Sequence, residues 1–565
     1  MKLADLLRGQ PCVLRAGSPD VDILGLAHDS RQVAPGAAFF CLPGQRHDGH
    51  DFAAEAVGRG AAAVVGERPL PSLPPDVTQV LVPDARLALA LAAAAFWGRP
   101  GDRLRLVAVT GTNGKTTVNH LIQAALEADG RRAGLVGTVE SRVGPVTRPA
   151  GLTTPDAIHL QETLAAMVRA GLEYACLEVS SHGLAGRRLA GCEVDVAVLT
   201  NVTRDHLDFH RSLREYVETK LSLFRSLGRR GPAPAAAPPA RTPAPATPGR
   251  GPKSGPVYAV LNADDDWFDL FRGSLEVPYL AYGARGPAHV RLTRAAMGPT
   301  GSLVRVAFRS SPDGLEAADW LTPAPGWPEE AALFFPHPGP HNASNLLAGL
   351  AVAWAEGVRW EAALRAAETF PGVRGRWEVV PGPDGVVGVV DFAHNPAGLL
   401  ETLRTARLAT AGRVILVFGC EGQKDRGKRP LMGAVAAALA DHVILTTDNT
   451  FHEDRRRILA DVAAGLADPA AALTAWAGPS PPAGLGVRRA TFEVVEDRAE
   501  AIHHAVSLAE RGDLVLVAGR GHDTRLVFGS RVEILDDHEV LAEALRRTAA
   551  AYSHSMVAGG LEVTS

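Results

Sequence analysis

"VTGTNGKTTVNHLIQAALEADG" occupies residues 109–130, between an apolar run and a helical pattern. "RLVAVT" (105–110) reads as a buried strand, Gly111-Thr112-Asn113-Gly114 as a turn, and Lys115 onward as a helix. The first N–H groups of such a helix have no intrahelical partner and can bind phosphate oxygens. Gly111 and Gly114 allow close backbone approach, and Thr112 and Asn113 complete the turn. Lys115 can reach β- and γ-phosphates, and the hydroxyl of Thr116, followed by Thr117, can ligate Mg²⁺. The full G-x-x-x-x-G-K-T pattern asks for glycine at position 109, where Val109 stands.

Downstream residues supply partners for such a loop. "ACLEVSSHGL" (175–184) ends an apolar strand in Glu178, and ligands gather at strand C-termini in doubly wound sheets. The next strand runs into "LTNVTRDHLDFHRSLREYVETKLSLF" (199–224), which carries His206 and Lys220. Lys220 has apolar neighbours Leu221, Leu223 and Phe224; a desolvated amine is depressed in pKa and nucleophilic, and can take up CO₂ as a carbamate. Thr116, Glu178, His206 and Lys220 as carbamate are therefore candidate Mg²⁺ ligands, a donor set suited to phosphoryl transfer.

The 565 residues exceed one hydrophobic core and suggest about three domains. With 46% hydrophobic and 21% charged residues the chain is globular, and a net charge of -4 gives no support for nucleic-acid binding. There are six lysines against 52 arginines, so each lysine stands out. Five cysteines without metal-ligand spacing argue against a disulfide framework. The start, "MKLADLLRGQPC", carries no long apolar run and no 20-residue apolar stretch follows, so a cytoplasmic protein without a membrane span is expected.

Apolar runs alternating with helical stretches from Arg103 to about Leu261, and again from about 372, predict parallel sheets covered on both faces. The expected division is 1–102, 103–370 and 371–548, with a proline- and alanine-rich low-complexity insert at 229–256, disordered or a PPII-like surface loop, and a frayed tail at 549–565.

On these residues the chain resembles the Mur ligase family, and within it the members that add the third peptide residue to UDP-N-acetylmuramoyl-L-alanyl-D-glutamate. The matching motifs run in order along the chain: "HDSRQVAPGAAFFCLPGQRHDGHDF" (28–52), "GTNGKTT" (111–117), "TTPD" (153–156), "LEVSSHGL" (177–184), "TRDHLDFH" (203–210), "NADD" (262–265) and "HNASNLLA" (341–348). They continue with "VRGRWE" (373–378), "DFAHNP" (391–396), "FGCEGQKDRGKRP" (418–430), "TTDN" (446–449) and "GRGHDT" (519–524).

The resemblance implies a three-domain α/β fold: an N-terminal UDP-muramoyl module, a central parallel-sheet P-loop ATPase domain and a C-terminal Rossmann-like α/β domain for the amino acid. It implies an ATP-dependent acid–amino-acid ligase that is a monomer, uses ATP and Mg²⁺, and carries a CO₂-derived carbamate (N6-carboxylysine) on Lys220. Ser30 and Arg31 would hold the uridine nucleotide, and Thr153, Thr154, Ser180 and Arg188 the muramoyl-dipeptide. Gly111 to Thr117, Asn345, Arg376, Asp391 and His394 would face ATP. Lys115, Glu178, His206 and Lys220 would carry the chemistry, and Asp448, Asn449, Phe451, Gly519 and Asp523 the incoming amino acid.

Three departures stand out. Leu152 replaces an asparagine before "TTP", and "GKGHE" becomes "GRGHD" with Arg520 and Asp523. Diaminopimelate-adding members carry "DNPR", whose arginine grips the distal carboxylate; Thr450 and Phe451 stand there. An aromatic ring forms no bidentate pair with a carboxylate, so lysine, ornithine or a neutral amino acid fits at least as well as meso-diaminopimelate. A sister ligase of a later precursor step, a ligase of another pathway and a non-catalytic ATP-binding module are the competing readings.

Overall fold

Alternate residues of the phosphate-loop strand Arg105–Thr110 belong to different cores, as a strand covered on both sides requires. Val107 and Val109 pack with the helices Lys115–Ala128 and Pro340–Ala355, while Leu106 and Ala108 pack against Leu160, Leu164 and Phe224. The computed structural model describes residues 1–44, 47–229, 255–322, 324–476, 485 and 490–559, with side chains to 549.

Three large sheets follow one another along the chain. The N-terminal sheet has five strands, Val13–Ala16, Thr78–Leu81, Ala63–Gly66, Ala37–Phe40 and Gly25–Ala27 in spatial order; only the first pair is antiparallel. The central sheet has 11 strands. Its middle, from Ala133–Val136 through Tyr174–Val179, Arg105–Thr110, Val196–Leu199, Tyr258–Asn262 and Tyr279–Gly283 to Val290–Gly298, is parallel. Both margins are antiparallel, so the expected parallel sheet is in fact mixed. The margins are hairpins such as Val290–Gly298 with Gly301–Phe308, which need no crossover helix.

The third sheet orders Glu378–Pro381, Val387–Asp391, Leu514–Ala518, Val414–Phe418, His442–Leu445 and Thr491–Val494, antiparallel only at its first pair. A hairpin, Arg525–Phe528 with Arg531–Ile534, stands beside it. The expected insert lies outside the described residues apart from its two ends. The expected frayed tail is helical to Gly559, because the last helix, Asp537–Gly559, runs on through three consecutive alanines, strong helix formers. All five cysteines are free, and no helix among the described residues is long and apolar enough to cross a membrane.

Candidate active site

The C-terminal ends of the central parallel strands carry the site. Val109 is fully buried in the strand and pairs in register with Glu178, so the turn starts only at Gly111. A glycine at 109 would open a hole in the core rather than lengthen the loop. Gly111 has φ 152° and Gly114 φ 85°. A Cβ at Gly111 would lie 1.8 Å from the Thr200 hydroxyl, and one at Gly114 2.3 Å from Asn345 Oδ1. Both positions therefore require glycine.

The turn is held from one side by the segment after Val196–Leu199. Thr112 N–H donates to the Asn201 carbonyl (2.7 Å) and Asn113 N–H to Asn201 Oδ1 (3.0 Å). The helix then starts with Val118 N–H bonding Gly114 O at 3.0 Å, which leaves the preceding N–H groups outside the helical ladder. Lys115 Nζ folds back onto the carbonyls of Gly111 (3.0 Å) and Thr112 (2.9 Å), and burial lowers its pKa. Lys220 is 1% exposed and donates to the same Gly111 carbonyl at 2.8 Å, with its Nζ 4.4 Å from the Tyr216 ring. Burial first, and then the nearby Lys115, push its pKa well below that of an ordinary lysine.

Glu178 is buried and fully engaged. Its Oε2 accepts from the hydroxyls of Thr116 (2.9 Å) and Thr138 (2.8 Å), and its Oε1 from Thr138 N–H (2.8 Å). The Thr138 and Thr153 hydroxyls lie 3.1 Å apart. Thr154 donates to the Glu178 carbonyl (2.9 Å) and accepts from Ser180 N–H (2.9 Å); Ser180 Oγ in turn accepts from Gly183 N–H at 3.1 Å and caps the helix Ser181–Ala185. Arg188 donates to the Thr154 carbonyl. The hydroxyl of Ser181 is buried with no partner among the described residues.

His206 takes a left-handed backbone (φ 55°) and stacks edge-on with His182, ring centroids 4.9 Å apart. Desolvation, opposed by Asp205 and reinforced by His182, His394 and Lys115, brings its pKa down to about 3, so the imidazole is neutral. No group of three or more His, Cys, Asp or Glu side chains among the described residues forms a ready metal cluster. The Thr116 hydroxyl against the Glu178 carboxylate nevertheless fits Mg²⁺, which binds one or two protein oxygens and fills its octahedron with water and phosphate oxygens.

The C-terminal domain reaches this site directly. Arg376 Nη2 donates to Thr116 Oγ1 at 3.3 Å, its guanidinium lies 4.2 Å from the Phe392 ring, and its buried Nε has no partner among the described residues. His394 Nε2 is 3.3 Å from Asp205 Oδ2. Asp391 is spent within its own domain, accepting from Trp377 N–H, Ala393 N–H and the Thr402 hydroxyl (2.7, 2.9 and 3.1 Å); it holds the turn that presents Arg376 and His394.

The remaining candidates lie apart. Ser30 donates to Glu55 (2.9 Å) and the exposed Arg31 pairs with Asp29 (2.7 Å) in the N-terminal domain. That domain meets the central one through pairs such as Arg187–Asp84 (3.6 Å). Asp448 is buried against Arg520 (2.9 Å), and Asn449 bonds Glu421 (3.2 Å) and Val527 N–H (2.8 Å), so both brace the loop. Phe451 has φ 49° and bridges to the hairpin at Phe528. Gly519 (φ 112°) ends the strand Leu514–Ala518, and Asp523 accepts from Arg525 N–H at 3.4 Å. Sequence reasoning missed Thr138, Asn201, Asp205 and Asn395. The last two sit inside quoted motifs beside residues that were singled out, whereas Thr138 carries no motif.

A phosphate loop in a parallel sheet, a carboxylate beside its helix, and an arginine brought over it by a second α/β domain define an ATP-dependent ligase. Comparison with known proteins gives the same answer. Profiles described as "Mur ligase family, catalytic domain", "Mur ligase middle domain" and "Mur ligase, glutamate ligase domain" match residues 22–97, 109–237 and 375–521. A UDP-N-acetylmuramoyl-L-alanyl-D-glutamate--2,6-diaminopimelate ligase of Geobacillus thermodenitrificans is 38% identical over 97% of this chain and 99% of its own. The enzyme of the same name from Geobacillus kaustophilus is 39% identical with the same coverage. A solved structure of an enzyme of that name superposes with TM-score 0.60 at 28% identity, covering 97% of this chain and 99% of that one. The chain belongs to the Mur ligase family and is an amide-bond-forming ligase driven by ATP.

Proposed function

We propose that the chain joins the D-glutamyl γ-carboxylate of UDP-N-acetylmuramoyl-L-alanyl-D-glutamate to the amino group of a diamino acid in cytoplasmic cell-wall precursor synthesis. The full-length relatives named for this reaction carry the reading. They put 2,6-diaminopimelate first among the candidates, while Phe451 keeps lysine and ornithine beside it.

In this reading the loop 111–117 and Lys115 hold the β- and γ-phosphates, and Asn345, Arg376, Asp391 and His394 line or support the nucleotide site. Thr116, Glu178, the neutral His206 and Lys220 as carbamate hold Mg²⁺, which supplies charge neutralisation on the transferring phosphoryl group. The buried, depressed amine of Lys220 is the form that adds CO₂, and its only hydrogen bond among the described residues is to a carbonyl. Ser30 and Arg31 serve the uridine end, Thr153, Thr154, Ser180 and Arg188 the muramoyl-dipeptide, and Asp448, Asn449, Phe451, Gly519 and Asp523 frame the amino-acid pocket.

The γ-carboxylate attacks the γ-phosphorus, the bond to the β-phosphate oxygen breaks, and ADP leaves an acyl phosphate. The incoming amine then attacks the acyl carbon, loses a proton, and expels phosphate carrying one former carboxylate oxygen. Lys115 and Arg376 offset negative charge as it moves, and the protein's other contribution is alignment. The test is phosphate release with the UDP-dipeptide and a panel of amino acids. Release coupled to 2,6-diaminopimelate or to another diamino acid supports the reading; no release with any of them defeats it. A ¹³C carbamate resonance under ¹³CO₂, lost in Lys220→Ala, tests the modified lysine separately.

A further inference from the structure

Besides Arg376, the C-terminal domain meets the phosphate loop through a buried asparagine. Asn395 Nδ2 donates to Asp205 Oδ2 at 3.1 Å and lies 3.1 Å from Asn113 Oδ1, while Asn113 Nδ2 donates back to Asn395 Oδ1 at 3.3 Å. Asn395 is fully buried and Asp205 is 4% exposed. Asp205 Oδ2 also faces His394 Nε2 at 3.3 Å, and its Oδ1 accepts from His206 N–H at 2.9 Å. Lys428 of the C-terminal domain lies within electrostatic reach, and Arg204, one residue upstream, pairs with Asp425 at 3.2 Å. One carboxylate of the central domain thus gathers donors from the third domain directly beside the turn that would carry phosphate.

We infer that Asn395 and Asp205 are positioning residues that seat the C-terminal domain over the phosphate loop, with Asn113 as the loop's own contact to that seat. An amide and a carboxylate, each buried, are matched only when the domain is closed; opening leaves both to be rehydrated. The seat also sets the turn 391–395, and with it the approach of Arg376 to Thr116. Closure keeps water from an acyl phosphate, so a weakened seat lets phosphate leak without amide formation. The leak depends on the ligation chemistry proposed above, whereas the seating itself does not.

Asn395→Asp is the discriminating variant. Asn395 caps the helix Pro396–Ala409 through Oδ1 to Gly398 N–H (2.8 Å), and aspartate keeps that cap while losing the amide donor and facing Asp205 with like charge. The expected result is a larger radius of gyration by solution scattering with a non-hydrolysable ATP analogue and a kcat for amide formation down about 100-fold. KM for the UDP-dipeptide stays within a few-fold, and a larger share of phosphate is released without amino acid. Exchanging the pair, Asp205→Asn with Asn395→Asp, restores compaction because amide and carboxylate merely change sides. Wild-type scattering and wild-type coupling in Asn395→Asp, or no recovery in the exchanged pair, overturns the inference. Should Asn395→Asp not fold, Asn113→Ala removes the reciprocal amide contact and must shift both readouts in the same direction; unchanged readouts overturn the inference. Absence of turnover in the unmodified protein counts against the proposed reaction but leaves the scattering comparison intact.

Discussion

The strand Arg105–Thr110 buries cations at both of its ends, and the two ends treat them in opposite ways. At the start, Arg105 donates to both oxygens of Glu356 (2.6 and 2.7 Å), which also accept from the hydroxyls of Tyr258 (2.9 Å) and Tyr174 (3.0 Å). Burial opposes the charge of Arg105, but Glu356 outweighs it and the guanidinium pKa rises. At the far end Lys115 and Lys220 rest on backbone carbonyls, Arg376 touches a hydroxyl, and burial lowers all three pKa values. A paired buried cation consolidates a fold. Lys115 and Arg376, with no carboxylate in contact among the described residues, suit an anion that arrives later, as the proposed ATP site requires, whereas the depressed amine of Lys220 suits the proposed carbamate.

Four changes probe that contrast. The largest effect is expected from Glu356→Ala, which strands Arg105 and should cost about 3–5 kcal/mol in denaturant unfolding while leaving kcat of the folded fraction near wild type. Lys115→Ala should do the reverse: turnover down about 10²–10³-fold, with little change in unfolding free energy, since the half-buried amine bonds only backbone carbonyls among the described residues. A stability loss in Lys115→Ala matching that of Glu356→Ala would erase the distinction. Val109→Gly, which restores the missing loop glycine, should lose about 2–3 kcal/mol from the emptied core and gain no ATP affinity in calorimetry.

The smallest effect concerns pH. Desolvation, reinforced by Arg376, holds His522 near a pKa of about 4, against 6.5 for a free histidine. The unfolded chain therefore binds this proton first, so the ring's contribution to stability is complete above pH 6.5 and is lost between 6.5 and about 4. The slope is at most about 1.4 kcal/mol per pH unit. His522→Gln should flatten that part of the unfolding-versus-pH curve, and an unchanged curve would show that the ring carries no such penalty.

The phosphate loop, Glu178 and the parallel strands were legible because each rests on a local signal: a glycine turn before a helix, or an apolar run ending in a polar group. The antiparallel margins of the central sheet were not, since strands such as Glu140–Val143 and Val146–Pro149 are short and partly exposed and carry no buried run. Val109 looked like a departure from a loop pattern and is a core residue, a distinction that needs the register with Glu178. Asp391 and Asp448 looked like ligand contacts, yet their carboxylates are occupied by their own domain. Thr138 and the Asn113–Asn395–Asp205 contact join residues 40 to 282 positions apart in sequence, and no local pattern encodes such a meeting.

In the proposed reaction the cation-rich end of the sheet activates a carboxylate as an acyl phosphate. Turnover with UDP-N-acetylmuramoyl-L-alanyl-D-glutamate carrying ¹⁸O in the D-glutamyl γ-carboxylate, together with ATP and the accepted amino acid, tests it by mass spectrometry of the released phosphate. One labelled oxygen in each phosphate is the predicted result. Unlabelled phosphate accompanying the same amide product would contradict it.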